Sequence, residues 1–234
     1  MNRTRILVWD LPVRLFHWLL VATFAGAFLT AESERVRDIH VALGYTFAGL
    51  LAFRIVWGLV GSRYARFASF AFGPRAVVAY LKSLLERRPE HHVGHNPAGA
   101  WAIFALIAGG IAVGVTGHMA YADAGGRWLE ELHEGAANAL LALAIVHVAG
   151  VVIGSLLHRE NLVAAMVTGY KSGPANEGIA KPRWQAAVAL LAGLAAVWTA
   201  GPRVAAPPDA GSAIGDGGHG RAERHHDRHR GHDG

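Results

Sequence analysis

The sequence predicts an all-α membrane protein: a bundle of four transmembrane helices, followed by a fifth transmembrane helix near the C-terminus. Three observations carry this. The 234 residues are 53% hydrophobic and only 17% charged, where a soluble domain averages roughly 25% charged residues. The charges gather in short stretches between long uncharged runs. Histidines lie inside those runs, where an ionisable group is costly and marks function.

The chain has no cysteine. Disulfides, cysteine-ligated iron–sulfur clusters and a Cys-x-x-Cys-His haem attachment are therefore excluded, and metal chemistry must pass through His, Met or carboxylates. The net charge of +5 resides mainly in loops between apolar runs. That is the pattern of positive-inside loops, so lipid is the expected partner and nucleic acid is not.

A membrane-spanning helix needs about 20 mostly apolar residues. Segments 12–31, 39–60, 97–120, 132–157 and 184–200 meet or approach this, the last being the shortest and richest in alanine. The first resembles a signal peptide only superficially. Its apolar run is long, it holds His17 and Trp18, and a polar loop follows it, so it is read as an uncleaved span.

Residues before Trp9 carry Arg3 and Arg5 with no acid, and the loop after the second span is rich in Arg63, Arg66, Arg75, Lys82, Arg87 and Arg88. The first loop mixes Glu32, Glu34 and Asp38 with Arg35 and Arg37, the third sets Asp123, Glu130 and Glu131 against Arg127, and the fourth sets Arg159, Lys171, Lys181 and Arg183 against Glu160 and Glu177. This alternation predicts a multi-pass protein of the bacterial inner membrane with a cytoplasmic N-terminus and, after five spans, a periplasmic C-terminal tail. Trp9, Trp18, Trp57, Trp101, Trp128 and Trp184 fall near the expected interfaces. Within the second loop, Pro74 opens an amphipathic segment with apolar Val77, Val78, Tyr80, Leu81, Leu84 and Leu85, read either as lying on the membrane surface or as packed on its neighbours. Residues 202–234 are rich in Gly, Pro, His and Arg and are expected to be disordered.

Of fourteen histidines, His17, His40 and His147 sit inside spans, and His118 and His133 near span ends. His133 and His147 lie fourteen positions apart on one predicted helix. That spacing returns to within about 40° of the same face and separates them by about 21 Å along the axis. One helix thus offers one imidazole near each membrane surface. A six-coordinate haem iron needs a second axial ligand from a facing helix. By level, His17 pairs with His147 on the cytoplasmic side and His40 with His133 on the outer side, so two b haems are expected. Gly44, Gly135, Gly150 and Gly154 are placed to allow close approach, although small residues also simply pack membrane helices.

The motifs extend this reading. Val8-Trp9-Asp10, Arg14-Leu15-Phe16-His17-Trp18, Asp38-Ile39-His40 with Gly44, Arg54-Ile55-Val56-Trp57-Gly58 and Gly94-His95-Asn96-Pro97-Ala98-Gly99 stand before or within the spans that carry these histidines. Together with His133 and His147, they make the chain resemble the bacterial cytochrome b561 family, which includes the b-type cytochrome subunits of Ni,Fe-hydrogenases. The resemblance covers about residues 6–170. It implies a four-helix core with two bis-histidine haems b, exchanging electrons with quinone, a c-type cytochrome or a partner hydrogenase or dehydrogenase. The domain expected is therefore 1–170, with 171–201 a linker and fifth span, and 202–234 a tail about which the resemblance says nothing.

Arg54 near the inner end of its span is expected to reach a haem propionate, and Arg14, one turn before His17, either a propionate or lipid headgroups. His118 is an alternative to His40, a propionate contact or a quinone contact. His95 is expected to cap the third span or meet headgroups, and His158 to be a surface residue. His219, His225, His226, His229 and His232 either bind metal transiently or are simply solvated. The leading function is transmembrane electron transfer. Alternatives are anchoring a periplasmic hydrogenase or dehydrogenase and, in another class, a metal-ion transporter, which predicts histidines clustered at the midplane.

Overall fold

The computed structural model describes residues 4–86, 88 and 90–199. The expected tail, with its five histidines, lies outside them. The chain runs β1 (Thr4–Leu7), α1 (Leu11–Thr30), α2 (Arg37–Val60), α3 (Pro74–Leu85), α4 (Pro97–Tyr121), α5 (Arg127–His158), α6 (Leu162–Thr168), β2 (Tyr170–Gly173) and α7 (Trp184–Thr199). Four helices, α1, α2, α4 and α5, are long and apolar enough to cross a membrane. The expected fifth span is present as α7, but its sixteen described residues extend about 24 Å, short of a hydrocarbon core about 30 Å thick.

Local chemistry sets where the spans begin. Asp10 caps α1, its carboxylate accepting the Val13 N–H at 2.9 Å, with Pro12 in the first turn. Asn96 does the same for α4, accepting from Gly99 at 2.7 Å, with Pro97 as the first helical residue. Both satisfy an N–H that a helix start otherwise leaves unpaired.

A feature the sequence reading lacked joins the two ends of the bundle. β1 pairs antiparallel with β2, Thr4 opposite Gly173 and Leu7 opposite Tyr170. Gly169, at φ 88°, continues the connection, its carbonyl accepting from the backbone N–H groups of Val8 and Trp9. A Cβ at that position would lie 2.7 Å from the Trp9 carbonyl oxygen, so the turn requires glycine. Residues 4–7 and 170–173 therefore share one face of the bundle, which four intervening crossings satisfy. We call it the N-terminal face.

α1 packs on α2, α4 packs on α5, and the two hairpins meet along α2 and α4. Among the described residues, α1 and α5 have no extensive backbone contact, which leaves a slot between them. Halfway through the bundle, Phe47, Leu51 and Leu140 are buried together, with Phe24, Leu106 and Val113 packed around them. Gly110 admits this layer: a Cβ there would lie 2.8 Å from Leu51. α7 lies outside the hairpins, burying Leu190 against Phe16 and Leu50, while Trp198 donates its indole N–H to Thr46 at 3.0 Å.

α3 divides the apolar residues assigned to one face. Tyr80 is buried and Val77 and Leu84 are half-buried, whereas Val78, Leu81 and Leu85 are exposed. The helix packs on α4 and turns a second apolar stripe outward.

Candidate functional site

The two level-matched histidine pairs flank the mid-bundle layer. On the face opposite the N-terminus, His40 near the start of α2 meets His133 of α5 with ring centroids 6.2 Å apart and planes at 83°. Each ring is fixed by its Nδ1. His40 Nδ1 donates to the Ala27 carbonyl at 2.8 Å, and His133 Nδ1 donates to the Val113 carbonyl at 3.2 Å. Thr116 Oγ1 stands 3.3 Å from the same His133 nitrogen. A carbonyl can only accept, so Nδ1 carries the proton in both rings and Nε2 keeps its lone pair. Gly117 lets the His133 ring sit against α4, where a Cβ would lie 2.8 Å from its Cε1.

His118 does not join this pair. Its Nδ1 is 2.8 Å from the Tyr45 hydroxyl, in an aromatic group that also includes Tyr121.

On the N-terminal side, His17 of α1 and His147 of α5 are electrostatic neighbours across the slot. Trp18 packs edge-on to His17 at 5.1 Å, and His17 Nδ1 is buried without a hydrogen-bond partner. The guanidinium of Arg14 donates from Nη1 to the Val167 carbonyl at 2.7 Å, while its Nε is buried and unpartnered. Arg54 is buried, not extended to headgroups: Nη1 donates to the Ala65 carbonyl at 3.1 Å, and the cation lies 4.6 Å above the Phe67 ring.

The glycines divide. No atom approaches within 4 Å of a Cβ placed on Gly44 or Gly150, in keeping with open space beside His40 and His147. Gly135 is also open but sits about 200° around α5 from His133, on an exposed face. Gly154 instead packs near Leu162.

The quoted motifs converge beneath the N-terminal-side pair. Trp57 donates its indole N–H to Asp10 Oδ2 at 3.0 Å, tying the end of α2 to the cap of α1. His95 neither caps α4, which Asn96 does, nor lies at the surface. Its ring is held between Trp9, at 4.6 Å, and Phe70, at 4.3 Å. Burial, reinforced by Arg54, Lys171 and His147, lowers its pKa from 6.5 to about 3, so the ring is neutral. His158 is likewise no plain surface residue, for its Nε2 is 3.1 Å from the Tyr80 hydroxyl and the two rings stack. Sequence reasoning gave Phe70 no role, quoted Asp10 only within a motif and read Tyr80 only as apolar. Only Asp10 had a readable signal, an acid just before a Pro-initiated apolar run.

The fold and the paired residues define a membrane helical bundle with imidazoles at two depths. The chain belongs to the prokaryotic cytochrome b561 family, whose model matches residues 8–169, and it is thus a multi-pass membrane cytochrome of the haem b type serving electron transport. It is similar to the probable Ni/Fe-hydrogenase B-type cytochrome subunits of Azotobacter vinelandii (27% identity, 73% of this chain and 90% of that protein) and Rhodobacter capsulatus (26%, 73% and 83%). The probable Ni/Fe-hydrogenase 1 B-type cytochrome subunit of Escherichia coli K12 is 27% identical over 50% of this chain and 60% of its own length. No solved structure matches.

Proposed function

We propose that this chain carries electrons across the bacterial inner membrane through two bis-histidine haems b, as the cytochrome subunit of a membrane-bound hydrogenase. The observation that carries the reading is the His40–His133 pair. Their ring centroids are 6.2 Å apart, and the two imidazoles would hold one haem iron between them. Both Nδ1 protons are already committed to backbone carbonyls, the outer-shell bond that orients a metal-ligating histidine and raises its basicity.

His17 and His147 hold the second iron, in the slot between α1 and α5. The buried, unpartnered Arg14 Nε fits an anionic propionate there, and Arg54 adds a positive charge nearby. Bound haem supplies a one-electron ferric–ferrous couple; the chain supplies axial ligands, orientation and a low-dielectric surround. The Phe47–Leu51–Leu140 layer favours electron transfer over ion transport. It places dry apolar side chains between the two levels, which electrons cross and ions do not.

The names of the relatives support a hydrogenase as the donor. Quinone is the proposed acceptor, and a c-type cytochrome or another dehydrogenase is the alternative partner. The N-terminal face, with Arg5, Arg63 and Arg66, is the proposed cytoplasmic face.

The test is a dithionite-reduced minus oxidised spectrum with haem quantified per chain. Two b-type haems are expected. His17→Ala and His147→Ala should each remove the same haem, and His40→Ala and His133→Ala the other. One haem or none in the wild type, or loss of the same haem from all four variants, sinks the assignment.

A further inference from the structure

His95 is an electrostatic neighbour of His147 that neither serves as a proposed ligand nor caps a helix. Gly94 brings the chain tightly past Tyr64, where a Cβ would lie 2.7 Å from its ring, and Asn96 then starts α4. Between these two constraints the His95 ring is fixed in place, between Trp9 and Phe70. Its Nδ1 is buried with no hydrogen-bond partner. Buried polar atoms in native proteins almost always have one.

The surroundings indicate what that partner is. His95 is an electrostatic neighbour of both His147 and Arg54. Other buried side-chain atoms on this side also lack a hydrogen-bond partner: Arg14 Nε, His17 Nδ1, Ser62 Oγ and His92 Nε2, the last 3.8 Å from the Glu90 carboxylate. Arg14 and Arg54 are cations whose nitrogens can only donate. A group that meets such a set is an acceptor with several oxygens and negative charge, which is the chemistry of a carboxylate. Arg54, buried with the Asp10 carboxylate as an electrostatic neighbour, and the partly buried Arg14 both favour such an anion on this side.

We propose that His95 donates its Nδ1–H to a propionate carboxylate of the haem held by His17 and His147, and so positions that haem and raises its potential. This rests on the assignment of a haem to that level. The hydrogen bond spreads the negative charge of the propionate. Without it, that charge stabilises the ferric state more strongly, and the potential falls. His95 acts through the propionate and does not touch the iron.

The experiment is a spectroelectrochemical titration of the purified holoprotein in nanodiscs, for wild type, His95→Phe and His95→Gln. His95→Phe is expected to lower the ferrous-to-ferric ratio of the N-terminal-side haem about tenfold at fixed potential, equivalent to about 59 mV for one electron. The other haem should not move, and His95→Gln, which keeps an N–H donor, should restore most of the shift. An unchanged potential in a two-haem His95→Phe protein overturns the proposal, as does an equal shift of both haems.

If His95→Phe does not assemble, redox-difference infrared spectra of wild type and His95→Leu, which lacks the donor, decide, using haem labelled with 13C at the propionates. A displaced carboxylate band supports the bond, and an unmoved band overturns it. Failure of the underlying assignment looks different: the wild type would carry fewer than two haems, or His17→Ala and His147→Ala would leave the N-terminal-side haem in place.

Discussion

Trp57 and Asp10, 47 residues apart in sequence, share a hydrogen bond of 3.0 Å at the N-terminal face. The same carboxylate caps α1 through Val13, so one fully buried side chain fixes both the start of α1 and the end of α2. His17 lies less than two turns further along α1. The depth of that imidazole in the membrane therefore depends on a residue that never touches it.

Asp10→Ala removes the cap and leaves the Trp57 N–H without its acceptor, at a combined cost of about 2–3 kcal/mol. A thermal melt should show a Tm lower by several degrees, with the N-terminal-side haem lost first. Asp10→Asn keeps a cap acceptor and should fall between. Equal loss of both haems would show that Asp10 supports the whole bundle and not this level.

Gly117→Ala places a methyl group 2.8 Å from Cε1 and 3.1 Å from Nδ1 of His133. The ring must shift, breaking its alignment with His40. The haem opposite the N-terminal face should be depleted in the difference spectrum while the other is retained. His118→Ala, by contrast, removes a partner of Tyr45 and should leave two haems per chain.

His92 packs against Tyr80 and Phe72 and is held below its ordinary pKa of 6.5 chiefly by burial, with Lys171 adding to the shift and Glu90 opposing it. The unfolded chain takes up a proton near pH 6.5 that the folded protein resists. Stability from this group is therefore present above pH 6.5 and is lost as pH falls below it. The Tm should fall between pH 7.5 and 5.5 (about one unit either side of the ordinary value), and less steeply in His92→Gln.

Trp198→Phe removes the indole bond to Thr46 while keeping most of the apolar contact of α7. Interhelical bonds of this kind in membranes are worth about 0.6 kcal/mol. A slightly lower Tm with unchanged haem content is expected. Loss of haem would instead make α7 part of the site.

The spans and the levels of the histidines were legible because membrane helices are self-contained. An apolar run of sufficient length must be helical, and 1.5 Å per residue converts sequence position into depth. That logic placed His40 beside His133 but left His118, at the same level, as an alternative to His40; the Tyr45 hydroxyl that engages His118 lies on another helix. It failed where partners come from distant loops. Nothing near Arg54 reveals that Ala65 and Phe67 will fold back over it, and nothing near His95 announces Trp9, 86 positions earlier. The β1–β2 pair was invisible because strands of four residues, separated by four spans, have no local periodicity to read. The shortness of α7 was legible too: its apolar run, 184–200, is the shortest of the five, and the described helix is Trp184–Thr199.

That strand pair also dictates an order of assembly. β1 is made before the four spanning helices, yet the segment it must join is made only after all of them. At about 5–20 residues per second, this means a wait on the order of ten seconds. Through that interval Ile6, Val8 and Trp9 lack the contact with Ala165 that completes their cluster. Closure of the N-terminal face thus follows all four spanning helices, and a chain cut short before Tyr170 would insert its helices but leave its leading strand unsecured.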